Sequence, residues 1–212
     1  MTDDLIDRLA GEVKPVRRGA LALWLGLALV AGVVVSAIVM VMWQGPRSDL
    51  ATAWTDPIFW TKFGYTLLIA LGGFWAVERM ARPGGSGRGA MLAILAVFIA
   101  CGALAVAQMM TSPREEMRAL IMGGTWDRCP LIILALSLPI LAATLWVMRR
   151  MAPTNLPMAG LAAGLLAGGA GAWVYGFHCG EYGIPFLAIW YTLGIGLSAA
   201  LGAIAGRWML RW

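Results

Sequence analysis

Cys129 and Cys179 stand 50 positions apart in a chain of 212 residues, and each has ionisable neighbours, Asp127 before the first and His178 and Glu181 around the second. Two thiols can close a bridge, exchange reversibly between thiol and disulfide, or present soft sulfur ligands to zinc or cadmium, with one imidazole and two carboxylates to complete the shell. No CxxC or HxxxH spacing accompanies them, so the spacing does not favour a dedicated metal site. A reversible redox change at Cys129 and Cys179 fits better. Three alternatives stay open: a structural bridge, a transient heavy-metal ion held by the same pair, and two unpaired bystander thiols. His178 is the single histidine, and beside a thiol it is either a backbone-bonded side chain or a ligand and proton sensor. Cys101, between Ala100 and Gly102 in a long apolar run, reads as a small packing residue. The pattern contains no catalytic residues and requires no cofactor, since thiol oxidoreductases normally rely on a CxxC-type pair.

For the two cysteines to act together, the chain must return distant positions to one place. It is 60% hydrophobic and 13% charged, more apolar side chain than one soluble core of this size can hide. The expected fold class is all-α: a polytopic membrane protein with six transmembrane helices. Six apolar runs, at 19–43, 58–77, 89–110, 130–148, 156–177 and 185–206, are long enough for a hydrocarbon core of roughly 30 Å. Eleven Lys and Arg fall in the tail and alternate loops on one side, against five on the other. The positive-inside rule then places both termini of this multi-pass chain in the cytoplasm, with Cys129 and Cys179 at one outer rim. The net charge of +5 is scattered over short loops, so no face tracks nucleic acid directly.

Trp43, Trp54, Phe59 and Trp60 mark one side of the expected bundle, and Trp75, Trp146, Trp208 and Trp212 the other, as interfacial anchors. Lys62, about a turn inside its run, is expected to snorkel outward. The last two runs carry small residues every four positions, Gly160, Gly164, Gly168, Ala172 and Gly176, then Gly194, Ser198, Gly202 and Gly206, the pattern of closely approaching helices. Almost no polar residue lies inside the runs, which weighs against the alternative of a small metal or solute transporter.

Residues 1–18 form a tail distinct from the bundle at 19–212. Thr2 can cap a short helix with Asp3 and Asp4 in its first turn; Leu5, Ile6, Leu9 and Val13 share one face, and Pro15 ends it. Acidic residues disfavour anionic lipid, so the groove of a soluble protein is the better dock.

Taken in order, several stretches resemble the NrsF-type membrane anti-sigma factors. They are Thr2-Asp3-Asp4-Leu5-Ile6-Asp7, Pro15-Val16-Arg17-Arg18-Gly19, Arg128-Cys129-Pro130 and Tyr175-Gly176-Phe177-His178-Cys179. To these are added Trp190-Tyr191-Thr192-Leu193-Gly194 and Leu210-Arg211-Trp212. The resemblance implies a bacterial inner-membrane protein of six spans, with a cytoplasmic tail that holds an extracytoplasmic-function sigma factor through Asp3, Leu5, Ile6, Leu9, Val13, Arg17 and Arg18. It also implies outer residues, Cys129 and Cys179 with His178, tied to sensing heavy metal or oxidant. The chain departs from the family pattern at Gly180, where a proline commonly precedes the acidic residue.

Overall fold

The computed structural model describes residues 19–82, 84–151 and 153–211. The tail residues Asp3, Leu5, Ile6, Leu9, Val13, Arg17 and Arg18 lie outside them. All the described secondary structure is helical: α1 Ala20–Trp43, α2 Leu50–Ala53, α3 Pro57–Met80, α4 Arg88–Thr111, α5 Met117–Met122, α6 Cys129–Met148, α7 Leu156–Tyr175 and α8 Ile184–Met209. A π-helical turn interrupts α8 at Leu187–Tyr191.

Short polar side chains and prolines set where the long helices begin. The Asp56 carboxylate accepts from Ile58 N at 2.8 Å with Pro57 in the first position of α3, and Asn155 accepts from Met158 N at 3.2 Å ahead of Pro157 in α7. Each side chain pairs a backbone donor that the helix itself leaves free, and each proline fills a site where no donor is needed.

Five helices, α1, α4, α6, α7 and α8, are long and apolar enough to cross a membrane, against the six expected from sequence. The exception is α3. Its 24 residues suffice in length, but Lys62, Glu78 and Arg79, with Thr61, Tyr65 and Thr66, dilute its apolarity. Several of these polar residues turn inward: Lys62, expected to snorkel, is 2% exposed, and Thr66 is buried as well. Phe59, expected as a surface anchor, is also buried and stacks on Phe63 at 4.4 Å. Trp43, Trp54, Trp60, Trp75, Trp146 and Trp208 are exposed as anchors require.

Helix α7 is the central post. Fifteen of its 20 residues are buried, and α3, α6 and α8 pack around it, with α1 against α6 and also touching α7, and α4 against α3. The close approach is made with glycine. A Cβ at Gly160 would strike the backbone of Gly202 and Gly206 in α8, and one at Gly164 would strike Ser198 and Ala199. On its other faces Gly169 meets Ala70 of α3 and Gly171 meets Ser137 of α6, again at the backbone. Such contacts gain dispersion energy without needing water to drive them. Polar pins add register: Ser137 and Ser198 hydroxyls bond at 2.8 Å, and Ser36 of α1 donates to Leu136 O at 2.7 Å, near the helix-interior Pro139. Outside, Leu23, Val30, Leu92, Ile99 and Ile204 are among many large apolar side chains left exposed, an exterior that water does not suit.

Candidate functional site: a buried thiol pair at one end of the bundle

Alternating helix directions gather the end of α1, the start of α3, the end of α4, the start of α6, the end of α7 and the start of α8 at one end. Cys129 is the first residue of α6, and Cys179 lies in the 176–183 loop that joins α7 to α8. Both are free thiols and both are buried, at 0% and 2% exposure, within one cluster that includes Tyr175, Phe186, Leu187 and Tyr191. Lys62 of α3 brings its ammonium to 4.0 Å from the Cys179 sulfur.

Three connections hold this end together. The first ties the α1–α3 connection to the loop of Cys179. His178 Nδ1 lies 2.8 Å from Gly45 O, and Arg47 N donates to Phe177 O at 3.1 Å. The Arg47 guanidinium takes both oxygens of Asp49 in a forked pair, at 2.6 and 2.5 Å, and Tyr182 donates to the same carboxylate at 3.3 Å. That fork holds Asp49 down at about 2 and raises Arg47 in turn. The second ties the two cysteine loops to one another. Glu181 Oε1 accepts from Gly124 N at 2.8 Å and from the Thr125 hydroxyl at 2.9 Å, while Thr125 O accepts from Cys129 N at 2.9 Å. The third is Lys62 of α3. Its Nζ donates to Cys179 O at 3.3 Å and lies 4.0 Å from Cys179 Sγ.

The helices supply aromatic walls. Tyr175 ends α7 under the thiols, 5.7 Å from the ring of Tyr191 and the same distance from His178. The π-helical turn carries Tyr191, whose buried hydroxyl has no hydrogen-bond partner among the described residues. Trp190 of the same turn donates to Ile121 O at 2.8 Å, and Ile184 N donates to Gln108 Oε1 at 2.8 Å. A π turn inserts one residue into the helical ladder and re-aims the side chains beyond it, a device often found at functional sites.

Among the candidates from sequence, Cys129 and Cys179 are therefore brought into one cluster. The others bond elsewhere: His178 to the backbone of Gly45, Glu181 to Gly124 and Thr125, while Asp127 is exposed beside Arg128 at 3.6 Å. No three His, Cys, Asp or Glu side chains among the described residues converge as metal ligands. Gly180 has open space around it and no left-handed φ, so neither crowding nor backbone conformation demands a glycine there. Cys101 is buried in α4 beside Tyr65, within the same apolar cluster.

Sequence reasoning missed Lys62, Tyr175 and Tyr191 as parts of this site. One signal was present: an ionisable residue inside an apolar helix seldom persists without a partner.

The opposite end has a different character. Arg79, Arg82, Arg88, Arg149, Arg150, Arg207 and Arg211 gather there, with Glu78 as the single acid at that end among the described residues, paired to Arg82 at 2.7 Å. Arg150 stacks on Trp146 at 4.4 Å and Arg211 on Trp208 at 5.2 Å. Ala20 opens α1 at this end, so the segment before it starts from the arginine face.

The family described as NrsF, negative regulator of sigma F, matches residues 9–212. A relative from Caulobacter vibrioides, the anti-sigma-F factor NrsF, is 46% identical over 220 aligned residues that cover all of this chain and 99% of its own. Another from Azospira oryzae, called a probable anti-sigma-F factor NrsF, is 38% identical over all of this chain and 99% of its own. No solved structure matches the chain. A match of this length, carried through both cysteine segments and the glycine-rich α7, makes the chain a member of the NrsF family of negative regulators of sigma F.

Proposed function

We propose that this protein is an inner-membrane anti-sigma factor. At rest, its cytoplasmic tail sequesters an extracytoplasmic-function sigma factor through Asp3, Leu5, Ile6, Leu9, Val13, Arg17 and Arg18. Oxidation of Cys129 and Cys179, or a heavy-metal ion at the same thiols, then releases the sigma factor. The observation that carries the reading is the full-length similarity to proteins named anti-sigma-F factors, in a chain whose buried thiol pair lies at the end opposite the start of α1. Five helices suited to a bilayer and an arginine-rich end of the kind found on the cytoplasmic side support the membrane setting. In this reading α3 is the sixth span. It crosses inside the bundle, its polar residues sheltered by α7 and α4, although its own composition does not demand a bilayer.

Thiol chemistry reaches the tail because Cys179, Cys129 and Lys62 stand on or beside the ends of α7, α6 and α3, with α6 and α3 both packed on α7. A stimulus shifts the equilibrium only by its differential affinity for the holding and releasing states. A strain placed at the thiol end is therefore read wherever those helices move as units.

The test is direct. Removing residues 1–14, or making Leu5→Asp with Leu9→Asp, should release a sigma factor that the intact chain retains on affinity capture from membranes, and switch on a discrete gene set. Unchanged transcription together with altered metal accumulation would replace this reading with that of a transporter.

A further inference from the structure

We propose that Lys62 is the resident cation of the thiol pair: its ammonium sits where the negative charge of a reacting Cys179 sulfur falls, so it favours attack on a neutral oxidant and opposes capture of a soft cation. The inference rests on the thiol-sensing reading and assigns its chemistry to one sulfur and one class of stimulus, the peroxides.

The geometry begins with a buried charge. Lys62 is 2% exposed, and its ammonium donates to Cys179 O at 3.3 Å with Cys179 Sγ at 4.0 Å. An ammonium in such surroundings needs a counter-charge, because desolvation is costly and one carbonyl does not neutralise it. Among the described residues Lys62 makes no ion pair with a carboxylate. Glu181, the acid that feels its charge, is already committed to Gly124 N and the Thr125 hydroxyl. Arg47, the other cation bearing on Lys62, is itself paired with Asp49. What remains beside the ammonium is the Cys179 sulfur, 4.0 Å away.

A second observation points to the same atom. The Tyr191 hydroxyl is buried without a hydrogen-bond partner, and the π-helical turn sets it among the neighbours of Cys179. A phenol O–H left over beside a sulfur is a donor held ready for an anion there, or for the oxygen of a bound peroxide. Lys62 and Tyr191 approach from α3 and α8, and Tyr175 closes the site from α7.

The reaction this arrangement supports balances as follows. The Cys179 thiolate attacks one oxygen of hydrogen peroxide; an S–O bond forms, the O–O bond breaks, and the departing hydroxide takes a proton and leaves as water. The Cys129 thiol then attacks the sulfenic sulfur; an S–S bond forms, the S–O bond breaks, and a second water leaves. Two thiols lose two electrons, and one peroxide gains them. A divalent cation approaching the same sulfur meets an ammonium already in its place.

The experiment uses the full chain, purified in detergent, reduced and kept free of oxygen, with hydrogen peroxide, iodoacetamide and cadmium ion as probes and mass spectrometry to follow each thiol. Lys62→Met, neutral and of similar length, should slow peroxide oxidation and alkylation at Cys179 by about tenfold, leave Cys129 alkylation within about twofold, and raise cadmium affinity by about tenfold. Lys62→Arg should keep the wild-type pattern. A merely structural role would shift both probes the same way, so a common loss, or an unchanged Cys179 rate, overturns the assignment. Should Lys62→Met fail to fold, the wild type still decides. Anionic iodoacetate should be favoured over iodoacetamide at Cys179 relative to Cys129, and equal ratios at the two thiols overturn the proposal. If the selectivity holds in the purified chain but peroxide releases no sigma factor in cells, the Lys62 assignment stands and the sensing reading falls.

Discussion

The two ends of α7 hold the same neighbour by different means. Toward Leu156, α7 meets α8 backbone to backbone, with Gly160 against Gly202 and Gly206 and no room for a single methyl group between them. Toward Tyr175 the two helices stand apart, with Tyr175, Phe186 and Tyr191 filling the gap and separate hydrogen bonds from the α1 and α6 sides finishing the closure. A glycine seam has no slack, since any added atom must displace main chain. A set of polar clips can open one at a time, each at the modest cost of a single hydrogen bond. The reactive sulfurs lie at the end that can yield, and the seam gives that yielding a fixed base.

The largest effect is expected from filling the seam. Gly164→Val drives a side chain into the backbone of Ser198 and Ala199. It should cost about 3 kcal/mol or more, lowering the thermal midpoint in detergent by roughly 6–12 °C. A wild-type midpoint would break the contrast between the ends. Glu181→Ala comes next. It frees Gly124 N and the Thr125 hydroxyl and should cost about 1–2 kcal/mol. Faster amide exchange should appear at Gly124 and in the segment before Cys129, with α7 and α8 amides near Gly160 unchanged. If the seam exchanges faster too, the ends are not separable.

The smallest effect is the pH response of the outermost clip. Asp49 is held at about 2, below its unfolded value of about 3.9. A carboxylate lowered in this way contributes stability above the unfolded value, and that contribution is lost as pH falls through the folded one. The Arg47, Asp49 and Tyr182 clip should therefore resist an acid protease at pH 4 and yield in the 44–56 segment near pH 2. Asp49→Asn should remove that change while leaving Glu181 contacts intact.

Much of the seam was legible in the chain. Gly160, Gly164 and Gly168 do face Ser198, Gly202, Gly206 and their neighbours, because spacing of four residues holds one helix face whatever the surroundings. The long helices likewise fall within a few residues of the apolar runs, since length and apolarity are local properties. The thiol end was less legible. Lys62 reads as a snorkelling surface residue until the rotation of α3 against α7 is known, and only tertiary packing sets that rotation. His178 and Glu181 sit beside Cys179 in sequence, yet their partners, Gly45 and Thr125, lie in other connections. Proximity along the chain grouped them with the thiols, and backbone groups from distant loops claimed them first. Gly194, grouped with the α8 stripe, instead meets Ile133 and Pro130 of α6.

The π turn at Leu187–Tyr191 has a mechanical meaning of its own. It holds one residue more than an α-helix would place between the same points, and one residue of helix is worth about 100° of azimuth. Thr192–Met209 and Ile184–Phe186 are therefore phased independently, the lower part by its glycines and the upper part by the rings around it. Were the extra residue absorbed into regular helix, the 176–183 loop would swing by about a quarter turn about the axis while the Gly160, Gly164, Gly202 and Gly206 contacts stayed as they are. The fold thus contains a rotary joint one residue wide, set between the sulfur and the part of the molecule that cannot bend.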